Sequence, residues 1–588
     1  MWIVADSSII TSMLYLKVGK SGGRDYLSIV RGYWDPVVKR SRTKTIQSLG
    51  YLDQLSTKYK DPISHFKNVV SEMNAEVEKE PSFFELKADL STKLSHGQGH
   101  RKNVGYFALS VVYHLLFLDK FFSNHSRSWQ CQYSLNDIMK LLVFSRILSP
   151  QSKKATYEQK SIYFEKMDFS LEDLYRCLSR VHTLENSIQI HLHKKMTELY
   201  GRSTEPVYYD VTNYYFEIDE QDEMRKKGVS KEHRPNPIIQ MGLFCDSQAI
   251  PIAYRIYPGN TNDSMTLIPL LEEMEKNYGI SRIIVVADKG LNTACNIASI
   301  TSSGNGYVLS QSIRAGNKNL KQYVLDQNGY QSLNEGFKSK SRLHKREILV
   351  PGKDGKKTKM VVDEKQVVIY SVKYKAKARA ERAIAIEKAR QLVADPSKYQ
   401  RATSYGAARY VKNLVFDEKT GEIILSGTKP VLDEKKLVEE ERFDGYYVVS
   451  TSEVDKSDQE ILEIYKGLWQ IEDAFRVSKS DLETRPVYLS REDRIRAHFL
   501  ICFISLYIVR LLGVLLDNKY SVSEIVSSLN KMSVSFVSEN LYVGDYADEI
   551  TSCLKEKFNI DLDRKFMTLG EIRRISGASK LRNYPLGK

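Results

Sequence analysis

A chain of 588 residues is too long for one hydrophobic core and points to three to five folding units. Its composition, 42% hydrophobic and 27% charged, is that of a soluble globular protein, and the chain shows no internal repeat or low-complexity tract. A formal net charge of +14 gives a surface that attracts polyanions, with nucleic acid the commonest partner and an anionic membrane the next.

The six cysteines, Cys131, Cys177, Cys245, Cys295, Cys502 and Cys553, form no Cys-x-x-Cys pair. Neither a zinc knuckle nor a disulfide framework is indicated, and a reducing cytoplasm fits best. The opening "MWIVADSSII" lacks the basic segment and apolar run of a signal peptide. One stretch, "HFLICFISLYIVRLLGVLL" from His498 to Leu516, approaches membrane-spanning length, but Arg510 interrupts it. It is expected to be a buried core helix, and no membrane partner is expected.

Residues 1–60 alternate short apolar strands with turn signals at Gly22, Gly23, Asp35 and Pro36, which predicts a small basic β-ribbon. Residues 61–204 turn helical, with capping-box spacings at Ser134 to Asp137 and Ser170 to Asp173, and are expected to bind DNA. From 205 to 317 strands dominate: "PVYYDVTNYYF", "PIIQMGLFCD" and "IPIAYRIYPGN" form a possible meander. A helix from about Ser264 to Tyr278, the buried strand "RIIVVAD", a helix capped at Asn292 and the strand "GYVLSQSI" follow. The order resembles an RNase H-like core, an α/β mixed sheet flanked by helices. Residues 318–441, with a turn at Asp354 and Gly355 and the basic helical stretch "KYKAKARAERAIAIEKARQLV", read as an insertion domain. The core resumes over 442–520, and 521–588 read as a C-terminal helical region.

Three carboxylates draw attention. Asp210 sits mid-strand in "EPVYYDVTNYYFE", where a buried carboxylate is costly without a partner. Asp288 ends a continuous apolar strand, where open α/β sheets place their ligands. Glu472 lies in "ILEIYKGLWQIEDAFRVSKSDLE", read as one helix with two stripes. Ile464, Leu468, Ile471, Phe475 and Leu482 form an apolar face, while Tyr465, Trp469, Glu472, Arg476 and Lys479 form its neighbour. An i,i+4 ion pair between Glu472 and Arg476 is the plain alternative. At about 5 Å separation three such charges repel by roughly 3 kcal/mol per pair at an effective dielectric near 20. A divalent cation resolves this, and an all-oxygen set suits Mg²⁺ or Mn²⁺, two ions about 4 Å apart serving phosphodiester chemistry. Arg476, Lys479 and Lys289 are then candidates to hold phosphates, and Trp469 or Tyr465 to stack on an unpaired base.

At these residues the sequence resembles the DDE transposases of bacterial insertion sequences, in the group marked by a Tyr, Arg, Glu, Lys signature. Tyr465, Glu472 and Lys479 stand at the signature spacing, while Leu468 stands in place of its Arg. "YYDVTNYYFE", "VVADKGLN" and "YKGLWQIEDAFRVSKSDLE" are similar to the family's three acidic blocks. The resemblance implies an RNase H-like core with an insertion before the Glu helix and Asp210, Asp288 and Glu472 as the metal-binding triad. It also implies metal-dependent cleavage at terminal inverted repeats, strand transfer into target DNA, a homodimer holding paired ends, and a bacterial, nucleoid-associated location. A nuclease without transposition and a catalytically silent DNA-binding descendant are the alternatives.

Overall fold

The computed structural model describes residues 14–35, 40–77, 91, 93, 99–228, 231, 235–334, 336–351, 356–395, 406–416, 423–424, 429–538 and 540–582. Pro36 and the Asp354 and Gly355 turn lie outside the described residues. The chain divides into two compact units, residues 1–98 and 99–588.

In the first unit, strands Leu14–Ser21, Arg24–Asp35 and Arg40–Tyr51 form a three-stranded antiparallel sheet. Gly22 and Gly23 take φ of 59° and 80°, the left-handed region a tight hairpin needs and a Cβ disfavours. Helix Pro62–Val77 covers one face through Val70 and Met73 against Leu14 and Ile29. Asn74 locks this packing by hydrogen bonds to both backbone groups of Leu14.

The second unit is built on a nine-stranded sheet. Its strands are β1 (Val207–Tyr215), β2 (Ile238–Cys245), β3 (Pro251–Pro258), β4 (Ile284–Ala287), β5 (Gly306–Gln311), β6 (Gln331–Asn334), β7 (Phe337–Pro351), β8 (Lys357–Ser371) and β9 (Tyr446–Thr451). Their order is β6-β7-β8-β9-β5-β4-β1-β2-β3. β1, β2 and β3 form an antiparallel meander, whereas β4 runs parallel to β1 and β5 parallel to β4. β9, after the insertion, returns antiparallel beside β5, and the long β7–β8 hairpin of the inserted segment extends the sheet beyond it.

Both faces of the central strands are covered, which is why they read as continuous apolar runs. Val207, Tyr209 and Val211 of β1 enter one layer with helices Leu267–Asn277 and Ala294–Ser302. Tyr208 and Tyr214 enter the other, with helices Tyr106–Leu115, Leu135–Leu148 and Leu171–Val181. The period of two puts Asp210 and Thr212 on this second face. Ser134 caps its helix by accepting from the Asp137 amide, and Ser170 with Asp173 makes a full capping box.

Helix Glu492–Leu515 is, among the described residues, the one helix long and apolar enough to cross a membrane, and most of it is buried against these helices. Arg510, the residue that interrupts its apolar run, pairs with Asp473 at 2.6 Å.

Candidate active site

The first two carboxylates are brought level by strand register. β1 and β4 pair in parallel with Val207 opposite Val285 and Tyr208 opposite Val286. The same offset sets Asp210 beside Asp288, the residue that follows β4. Asp288 Oδ1 accepts a hydrogen bond from Ser310 Oγ on β5 at 2.8 Å. The Asp210 carboxyl is pushed above its usual range, first by burial, with Lys231 opposing and the charges of Asp288 and Asp263 adding. Lys231 reaches toward it at 4.0 Å and donates to the Val211 carbonyl.

Glu472 does not stand on one continuous helix, as its pattern predicts. Helix α1 (Asp458–Lys466) ends at Gly467, helix α2 (Trp469–Arg476) follows, and a π-helical turn occupies Val477–Asp481. Gly467 at the break is required for a steric reason. A Cβ on Gly467 would stand 1.9 Å from the Tyr208 hydroxyl, so only glycine lets β1 approach this corner. Tyr208 donates to the Ile464 carbonyl at 3.2 Å, and the Tyr214 hydroxyl meets Ser478 at 3.0 Å. These two tyrosines flank Asp210 and Thr212 on one face of β1, so α2 crosses the sheet opposite Asp210.

Of the two stripes, Ile471, Phe475 and Leu482 are buried, whereas Trp469 is 60% exposed and Glu472 is exposed. Tyr465 is half-buried near the carboxylates. Burial pushes its phenol up to about 12, and the charges of Asp288 and Glu472 both add. The register thus brings Asp210 and Asp288 level, with the Glu472 helix packed across β1. Among the described residues no three Asp, Glu, His or Cys side chains are close enough to share one ion.

The remaining candidates divide. Arg476 pairs with Asp473 at 2.8 Å and with Asp481 at 3.1 Å rather than with Glu472. With Trp469, Asp473 and Arg510 it lines a cavity of about 360 Å³. Lys479 sits over the Tyr214 ring at 5.5 Å and is lowered to about 8, chiefly by burial and then by Lys231. Lys289, in the turn after Asp288, is exposed. Asn292 is not a helix cap: Thr293 caps helix Ala294–Ser302 through the Asn296 amide, while Asn292 turns its amide group toward β5, β7 and β9.

Sequence reasoning missed Asp263, Lys231 and Ser310. Asp263 opens a short turn that packs against the Lys289–Leu291 turn. Asn262 caps this turn by accepting from the Ser264 amide. Nothing local in the chain announces that this turn lies near Asp210.

Behind the π turn, Arg146 donates to the Leu482 and Glu483 carbonyls. His498 bonds the Thr484 carbonyl at 3.0 Å, and buried Lys153 reaches His498 at 3.5 Å. The segment carrying Glu472 is thus braced from below by cationic and neutral side chains.

The meander β1, β2, β3, with β4 and β5 parallel on the far side of β1, is the sheet order of RNase H-like proteins. Residues 216–508 match the family model "Transposase DDE domain", a span that holds Asp288 and Glu472 and begins just after Asp210. Residues 16–83 match the N-terminal domain of IS1634 family transposases. The chain belongs to the DDE transposases of insertion sequences. No curated protein matches it. Among solved structures, a piggyBac transposase synaptic complex with hairpin DNA is similar at 10% identity and a TM-score of 0.35, covering 73% of this chain and 79% of that one. A Mos1 transposase paired-end complex is similar at 13% identity and a TM-score of 0.14, covering 29% of this chain and 57% of that one. At such scores neither adds to the argument.

Proposed function

We propose that this transposase cuts DNA at the ends of its insertion sequence and joins those ends to target DNA, in a metal-dependent reaction carried by Asp210, Asp288 and Glu472. The observation that supports this reading best is the level placement of Asp210 and Asp288 on neighbouring parallel strands, with the Glu472 helix held across β1.

The donor set fits a hard divalent cation. Asp210 lies in the repulsive field of Asp288, which a cation between them relieves, and every candidate ligand atom is oxygen. Asp210, Asp288 and Glu472 would hold Mg²⁺ or Mn²⁺, two ions in this reading. Bound there, the metal supplies activation of a water or 3′-hydroxyl and neutralises the leaving oxygen. Glu472, carried across β1 on α2, would complete the set, with a cation taking the place of Lys231 beside Asp210.

The chain's own cations orient DNA. Lys479 and exposed Lys289 flank the carboxylates and suit phosphate contacts, while Trp469 and Tyr465 offer faces for stacking. Arg476 shares its charge with Asp473 and Asp481, so its phosphate contact competes with two carboxylates. A homodimer holding both inverted repeats, working in the bacterial cytoplasm, completes the reading.

The test incubates the full chain with a duplex carrying the DNA that flanks its coding sequence, a target plasmid and Mg²⁺. Joined products are expected. Cutting without joining would favour a plain nuclease, and binding without cutting a silent DNA-binding descendant.

A further inference from the structure

The Asp288 carboxylate is held from outside the acidic cluster. Ser310 Oγ donates to its Oδ1 at 2.8 Å, which occupies one oxygen and leaves the other to face a cation. Ser310 is itself held: Asn292 Nδ2 donates to the Ser310 carbonyl at 2.9 Å and to Ser450 Oγ at 3.2 Å. The Asn292 Oδ1 in turn accepts from Arg346 Nη1 at 2.8 Å. Arg346 belongs to β7, in the inserted hairpin, and is anchored there by Glu364 of β8 at 3.5 Å. Glu364 is buried and also accepts from Tyr307 Oη at 3.1 Å and Gln366 Nε2 at 3.0 Å. Hydrogen bonds therefore join the inserted hairpin to the Ser310 backbone, and the Ser310 side chain carries the link on to the Asp288 carboxylate.

We infer that Ser310, Asn292 and Arg346 form a positioning chain through which the inserted hairpin sets the orientation of Asp288 toward a divalent cation. The inference rests on the reading of Asp288 as a metal ligand. A role in packing alone does not account for the arrangement. The Asn292 side chain forgoes the cap of its own helix, which Thr293 supplies, and spends three hydrogen bonds on other strands. Partners that orient a ligand typically carry ~10–100-fold in metal affinity when removed.

The test measures Mn²⁺ binding to the full chain by electron paramagnetic resonance, without DNA, for wild type, Ser310→Ala, Ser310→Thr, Arg346→Gln and Asp288→Asn. Ser310→Ala and Arg346→Gln are expected to weaken binding about tenfold or more. Ser310→Thr, which keeps the hydroxyl, is expected to bind as wild type; Arg346→Gln strips buried Glu364 of its cation and is expected to melt lower, so its binding is measured well below its melting temperature. If Asp288→Asn loses Mn²⁺ while either Ser310→Ala or Arg346→Gln binds it as wild type does, the positioning chain is overturned and the metal reading survives. If Asp288→Asn binds Mn²⁺ as wild type does, the metal reading itself falls, and the inference with it.

Discussion

Replacing Gly467 with alanine is a direct probe of how the Glu472 segment is seated. The added methyl carbon would stand 1.9 Å from Tyr208 Oη, 2.4 Å from Cζ and 2.9 Å from Cε1. The first of these is about 1.5 Å inside the ~3.5 Å of ordinary contact. Tyr208 is 3% exposed and its hydroxyl is spent on the Ile464 carbonyl, so it has little room to yield. If the ring moves, that hydrogen bond is lost at about 1 kcal/mol. Overpacking adds about 1–3 kcal/mol. Gly467 already has a helical φ of −62°, so alanine incurs no backbone strain and gains about 1 kcal/mol of helix propensity. The net expectation is a loss of about 1–3 kcal/mol, read as a lowered urea midpoint with an unchanged slope. The same displacement shifts α2, and a misplacement near 1 Å costs ~10²-fold in rate. In a Tyr208→Ala background the stability cost should largely vanish. Wild-type stability for Gly467→Ala, or an equal cost in both backgrounds, would refute the steric argument.

Two further perturbations test what braces the site. Arg510→Met leaves Asp473 with Arg476 alone and should lower stability by about 1–3 kcal/mol in urea titrations. Burial acts to raise the Asp473 carboxyl, but Arg510 and then Arg476 outweigh it and hold it below the usual range. The contribution is thus complete above about pH 4 and lost below it, so the difference between Arg510→Met and wild type should shrink in acid. Lys153 is fully buried, and among the described residues no carboxylate stands within ion-pair distance of it; burial, with Arg146 second, lowers it to about 7. Because the unfolded lysine titrates near 10.4, the burial penalty is present in full below pH 7, and stability rises as pH climbs from about 7 to 10. Lys153→Met should remove that rise and be more stable than wild type at pH 6; a wild-type profile would contradict it.

The parts of this fold that were legible are those written at short period. β1 and β4 carry apolar runs because both faces of the central sheet are covered, and the stripe of Tyr465, Trp469, Glu472 and Arg476 follows from helical spacing. What escaped was set by contacts far apart in sequence. Position 467 is glycine for the sake of Tyr208, more than 250 residues away. Asn292 has the composition of a cap, yet its partners lie on three strands whose adjacency no local pattern shows. Arg510 reads as an interruption in a hydrophobic helix until its carboxylate partner on α2 is seen. Asp263 carries no local signal of its role because its nearness to Asp210 comes from the packing of two turns.

The central claim is that Asp210, Asp288 and Glu472 act as one metal-dependent unit. Its most direct test follows cleavage and binding of the element-end duplex by wild type, Asp210→Asn, Asp288→Asn and Glu472→Gln, with Mg²⁺ and with EDTA. Each variant is expected to bind the duplex nearly as wild type does and to cut it no better than wild type in EDTA. Robust Mg²⁺-dependent cutting by any one of the three would remove that residue from the triad.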